Sequence, residues 1–274
     1  MMKRKISSLE DFKKEKRRKK GWILFSQFAL LFLFLASWEL FARLGVINTF
    51  LVSKPSDIWN LFFIYLKNGE IFRHMKVSLL ETLYGLVIGT GLGILIGILL
   101  WWFPTLSRIL DPFLVVLNAL PKTALAPILI IWAGTGMKGI VVVAISLSIV
   151  ITILSSYHAF NSIDEEQIKM MKTLGASKWQ ILIKLILPAN IPNLINIVKI
   201  NIGMAWVGVI VGEFLVSREG IGYLVVYGGQ VFKLDLVMMG VFILGFLALL
   251  MYLLLNGVEK YFRTYRYHGR RKKK

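Results

Sequence analysis

Cysteine is absent from the 274 residues, which excludes disulfides, thiolate metal sites and cysteine nucleophiles. Acidic residues are scarce, with 15 Asp and Glu against 33 Lys and Arg and a formal net charge of +18. No GxxxxGK[ST] segment occurs, so the chain has no P-loop to cradle a nucleotide phosphate and ATP chemistry must come from elsewhere. Histidine is limited to three residues, and His74 and His158 stand without a second ligand at metal spacing, as ordinary interface residues. With no metal cluster and no nucleophile beside a base, a membrane enzyme ranks last among the readings.

What the chain has in abundance is apolar residues, 57% of the total, arranged in blocks of spanning length rather than at an amphipathic spacing. The basic excess sits at the ends and loops, where membrane topology accounts for it. No basic face interleaved with stacking aromatics points to nucleic acid. Runs at 22–44, 80–103, 113–133, 139–160, 191–216 and 236–258 predict an all-α membrane protein with six transmembrane helices. The third run is interrupted by Pro121, Lys122 and Pro127, which is tolerable only where broken backbone faces protein or a wet cavity. The first run is too long for a signal-peptide core and lacks a small-residue cleavage site, so it is expected to stay as an anchor.

Positive charge orients these spans. Residues 3–20 carry about ten Lys and Arg, 260–274 about eight, and Arg108 with the loop around Thr173 about five. A six-span arrangement puts all of these on one face and about eight on the other, so both termini, the Arg108 loop and the Thr173 loop are expected in the cytoplasm. The domain organisation is then a basic tail at 1–21, a transmembrane unit at 22–258 with a cytoplasmic loop at 161–188, and a second basic tail at 259–274. On the outer side, Ile58, Leu61, Phe62 and Tyr65 lie at helical spacing and predict a short interfacial helix.

Within the second span Gly85, Gly89, Gly93 and Gly97 recur at every fourth position, a stripe that lets another backbone approach closely, in the same chain or in a second copy. Ionisable groups far from a helix end default to bundle interiors or pathways. Lys122, Lys199 and Glu213 are the candidates, and Lys199 shares its stretch with Asn196, Asn201 and Gly203. These six residues are candidate pathway lining; Lys199 could contact an anion, snorkel, or pair with Glu213 of the same bundle. Glu39 and Glu81 are expected near span ends, at the interface.

The polar break TLGASKWQILIKLILPANIP, 173–192, carries local punctuation. Asp164, Glu165 and Glu166 open a helix with apolar Ile168, Met171 and Leu174, and Gly175 stops it. Ser177 and Gln180 form a capping-box pattern, so a second helix restarts at once and is expected to end at Pro188, with Pro192 in the first turn of the next span. Physically this could be only a surface hairpin lying on headgroups.

Gly175, Leu185, Leu187 and Pro188, with nine residues between the glycine and Leu185, resemble the EAA loop of permease subunits of ATP-binding-cassette importers. The resemblance continues through LPKTALAPILIIWAGTG and KINIGMAWVGVIVGEFLVSREGIGYL, covers roughly residues 53–258, and is strongest to the nitrate, sulfonate and taurine branch. It implies a type I importer permease fold and a coupling helix, with Leu174, Gly175, Ala176, Ser177, Trp179 and Pro188 as the surface and joint that meet a cytoplasmic ATPase. It implies as partners ATPase subunits holding ATP and Mg, an extracellular substrate-binding protein and a second permease copy in the lipid bilayer, with no cofactor on this chain. The solute implied is a small anion, although the branch also resembles importers of neutral or cationic vitamin precursors. Where the family has a glutamate six residues before the glycine this chain has Lys169, and the following alanines are Met170 and Met171. A self-sufficient carrier or channel, with Lys199 and Glu213 as its relay, is the alternative from another class. Neither a second acidic site nor an inverted repeat supports it.

Overall fold

Residues 9–271 are described by the computed structural model, and among them every regular element is a helix. In chain order these are α1 (Leu9–Arg43), α2 (Thr49–Val52), α3 (Pro55–Lys67), α4 (Glu70–Trp102), α5 (Pro104–Ala119), α6 (Ala126–Ala133), α7 (Met137–Asn161), α8 (Glu165–Thr173), α9 (Lys178–Ile181), a π-helical turn (Leu182–Ile186), α10 (Leu187–Val216), α11 (Ile221–Gln230) and α12 (Leu234–Arg271). Five stretches are long and apolar enough to cross a membrane: Gly21–Arg43, Glu70–Trp102, Met137–Asn161, Lys178–Val216 and Leu234–Gly257. The remaining expected span, 113–133, is divided between α5 and α6, neither of which crosses alone. Pro121 is the cause. It has no N–H to continue α5, and it drives Leu120 out of the helical region to φ −65°, ψ 138°.

The boundaries of the tails are not breaks in structure. α1 runs through residues 21–22 and α12 through 258–259, while residues 1–8 and 272–274 of the two basic tails lie outside the described residues. A helix is present at the expected place as α3, with Ile58 buried and Leu61, Phe62 and Tyr65 packed into the core it shares with α4 and α12. The second span differs from expectation at its start. α4 begins at Glu70, ten residues before Leu80, because Gly69 at φ +75° turns the chain directly from α3 into α4.

The core is a three-helix sandwich of α4, α7 and α10, and the glycine stripe builds it. A Cβ at Gly85 would lie 2.6 Å from Ala144 Cβ, and one at Gly93 would lie 2.5 Å from Thr152 Cβ; Gly89 and Gly97 face Ser148 and Ser156 in the same way. Four glycines on α4 therefore meet four small residues at the same spacing on α7, so the stripe serves packing within one chain. The hydroxyls cost little in this buried seam because each bonds its own helix: Thr152 to the Ser148 carbonyl at 2.7 Å and Ser156 to the Thr152 carbonyl at 2.7 Å. Gly208 and Gly212 of α10 in turn lie against Ala144 and Ile140 of α7. Asn201, fully buried, ties all three helices by donating to Thr90 Oγ1 at 2.8 Å and Thr152 Oγ1 at 2.7 Å.

Candidate functional site

The loop between α7 and α10 is built from three caps. Asp164 accepts the Glu166 amide at 3.0 Å and starts α8. At its end Gly175 takes φ +77°; its amide bonds the Lys172 carbonyl at 2.9 Å, and the Ala176 amide bonds the Met171 carbonyl at 3.0 Å. That pair of bonds is a Schellman motif, and the left-handed residue it requires is the glycine. Two residues later Ser177 and Gln180 close the expected capping box, with Ser177 N–H to Gln180 Oε1 at 2.9 Å and Gln180 N–H to Ser177 Oγ at 3.3 Å.

This elbow is fixed to two spans. Lys178 Nζ lies 5.6 Å and 5.1 Å from the rings of Trp101 and Trp102 and donates to the Trp102 carbonyl, one of the carbonyls α4 leaves free at its end. Trp179 packs edge-on against Trp102 at 6.1 Å. Behind the loop, Phe160, Ile181, Leu182 and Ile186 form a buried cluster that Ile168 and Met171 join. Leu174 does not follow them: at the C-cap of α8 it leaves the buried face and is 76% exposed, with Trp179 at 60%. Lys169, at the departed glutamate position, already has a partner one turn back, Glu165 at 3.4 Å.

Pro188 does not end the second helix, contrary to expectation. α9 passes through the π turn into α10 without a break, with Pro188 at the start of α10 and Pro192 inside it. A proline crowds the carbonyl four residues before it and cannot donate to it; at 188 that carbonyl belongs to Lys184. The π turn contains Lys184 and absorbs the mismatch, with the Leu187 amide bonding Leu182 five residues back. The consequence is a continuous rod from the exposed elbow to Val216.

The polar residues expected together on α10 are divided between two faces. Asn196 and Gly203 are exposed in the single chain and Lys199 is partly buried, whereas Asn201 and Glu213 are enclosed. Lys199 pairs with Glu259 of α12 at 2.6 Å, and its ammonium stands 5.6 Å from the Tyr252 ring. It does not pair with Glu213: fourteen residues separate them, about 21 Å along a helix axis. Lys122 lies in the 120–125 break and donates to the Asn118 carbonyl at 3.1 Å. Removing one partner of the Lys199–Glu259 pair is expected to cost about 1–2 kcal/mol, between the exposed and the buried limits, with part of it recovered in the double variant Lys199→Met/Glu259→Met. Thermal unfolding of the four proteins in detergent measures that coupling.

A second cluster was not expected. Glu81 is 2% exposed and deep in the bundle rather than interfacial, because α4 begins ten residues earlier than expected. It meets Glu213 of α10, beside Ser78. At the mouth of this cluster Arg73 pairs with Glu219, whose carboxyl the guanidinium holds below its ordinary value. His74, Ser78 and Glu81 share one helix face at spacings of four and three, a signal the sequence carries.

Comparison with known proteins agrees with this architecture. The family described as "Binding-protein-dependent transport system inner membrane component" matches residues 89–264. SsuC of Bacillus subtilis, assigned to aliphatic sulfonate transport, is 28% identical over 232 residues, 84% of this chain and 83% of that protein. The taurine transport system permease TauC of Escherichia coli is 25% identical over 263 residues, 93% and 95% of the two chains. The formylaminopyrimidine transport permease ThiX of Halalkalibacterium halodurans is 30% identical over 186 residues, 68% and 74% of the two. Among solved structures, a chain of the MetNI methionine ABC transporter in an inward-facing conformation has the same fold, with TM-score 0.58 at 17% identity over 72% of this chain and 95% of that one. The family match over residues 89–264 places this helical chain among the binding-protein-dependent transport system inner membrane components, the permeases of ATP-binding-cassette importers.

Proposed function

We propose that this permease forms, with a second copy of itself, the pathway of an ATP-driven importer for a small anionic solute of the sulfonate, taurine or nitrate kind. The solute is delivered by an extracellular binding protein, and a separate pair of cytoplasmic ATPase subunits holds ATP and Mg. Both termini and the 161–188 loop lie in the cytoplasm, following the charge bias. The ATPase docks on Leu174, Gly175, Ala176, Ser177 and Trp179.

The observation that carries this reading is the pair of large apolar side chains left exposed on an elbow whose backbone is fully capped. Exposed tryptophan and leucine on a rigid projection suit a partner pocket. A displacement of the elbow passes to α4 through Lys178 and to α10 through the π turn, so closing and separating ATPases would bias two spans between outward and inward states. Pathway lining falls to Lys122, Asn196 and Gly203; Asn196 and Gly203 are exposed in the single chain and Lys122 partly so, and a second copy can close over them. Trp179→Asp is expected to lose the ATPase on purification from native membranes while the permease itself accumulates normally. Retention of the ATPase at its usual ratio would contradict the docking assignment.

A second reading has its own observation. Lys199 is neutralised by Glu259, so it offers a solute no unpaired charge, and ThiX is named for a pyrimidine. An importer of a neutral or cationic vitamin precursor is compatible with that arrangement. Uptake of labelled taurine and of a formylaminopyrimidine by the assembled complex separates the two.

A further inference from the structure

The first turn of α11 is held by side chains from two other helices. Four consecutive amides meet three of them. Gly220 donates to His74 Nδ1 at 3.0 Å and Ile221 to Ser78 Oγ at 2.8 Å; Gly222 and Tyr223 donate to Glu213 Oε2 at 2.5 Å and 3.3 Å. These are the amides a helix leaves without internal partners, so α11 is capped wholly from outside its own sequence.

The proton inventory of this cluster is closed. Ser78 accepts from Ile221, and its single proton goes to Glu213 Oε1 at 2.5 Å. Glu213 therefore accepts three hydrogen bonds through its two oxygens, which is the pattern of a carboxylate. Glu81, one turn beyond Ser78 on the same face of α4, brings its buried carboxyl against this same carboxylate. A bond between two carboxyl groups needs one proton, and neither Ser78 nor the amides can supply a second. The remaining oxygen of Glu81, Oε2, is buried without any partner, a position a neutral acid tolerates far better than an ion. The other titratable groups near the pair do not offset a second negative charge. On α4, His74 presents an unprotonated Nδ1 and Arg73 is engaged by Glu219; α11 contributes Tyr223, and α7 contributes apolar Ile140 next to Gly212.

We propose that Glu81 is a neutral carboxylic acid sharing its proton with the Glu213 carboxylate, and that this pair is a clamp holding the first turn of α11 to α4 and α10. The 217–220 turn between α10 and α11 is thereby fixed in place, and loss of that proton would set two negative charges against each other in a buried site. The assignment does not depend on the identity of the solute or of the ATPase.

Infrared difference spectra of the full-length protein in detergent at neutral pH, wild type minus Glu81→Gln, provide the test. The expected result is one protonated-carboxyl C=O band in the wild type that the variant lacks. Hydrogen exchange supplies the second measurement. Glu81→Gln keeps an N–H donor toward Glu213, so exchange of the 220–223 amides should stay within about threefold of wild type, whereas Glu213→Gln should speed it about tenfold or more. Absence of the band, or amides opened as far by Glu81→Gln as by Glu213→Gln, would overturn the proposal. If Glu213→Gln does not accumulate, the infrared measurement decides by itself.

Discussion

Replacing Gly175 by valine is expected to abolish substrate-stimulated ATP hydrolysis in the complex assembled with the ATPase, while membrane insertion is unchanged. Space is not the obstacle, since a Cβ at Gly175 would meet nothing within 4 Å. The dihedral is. At φ +77° a side chain costs about 1–2 kcal/mol, and a β-branched one is the worst case. The chain can relieve that strain only by giving up the Schellman bonds of Gly175 and Ala176, which moves Leu174 and Trp179 apart from the geometry the caps impose. Gly175→Asn is the control, because asparagine accepts the left-handed region more readily than other side chains and should keep most of the coupling. ATPase rates of the three complexes, with and without loaded binding protein, give the comparison.

Gly208→Val is expected to have the largest effect on stability, at least about 3 kcal/mol, or to prevent accumulation altogether. The neighbour a new Cβ would meet there is the backbone of Ala144, which no rotamer change can move aside. Ala144 is also in close contact with Gly85 of α4, so α7 has little room to move aside. Gly203→Ala, five residues earlier on the same helix, meets open space and should be neutral or stabilising by up to about 1 kcal/mol. Thermal unfolding in detergent compares the two substitutions.

Much of this structure is visible in local patterns because its causes are local. Span length, the prolines that break the third span, the Ser177 and Gln180 box and the left-handed Gly175 each follow from residues within a few positions of one another. The glycine stripe announces a close contact but not its partner, since Ala144, Ser148, Thr152 and Ser156 become its complement only once α7 folds against α4. The meeting of Glu81 with Glu213 is not legible for a related reason: 132 residues separate them, and a start of α4 placed at Leu80 makes Glu81 look interfacial. Lys199 reads in the sequence as a mid-span charge, but its partner is Glu259, sixty residues away. Pro188 misled because helix-ending proline is the usual rule, and a π turn is the exception that carries the rod from elbow to span.

On the proposed reading, this permease moves solute only when an ATPase drives it through the elbow. Reconstitution in vesicles tests it directly, with radiolabelled taurine as solute and the permease alone, with its ATPase, or with ATPase and binding protein present. Uptake that requires ATP and all the components, and that Trp179→Asp removes, is the result expected. Uptake by the permease alone, driven by an ion gradient, would contradict the account.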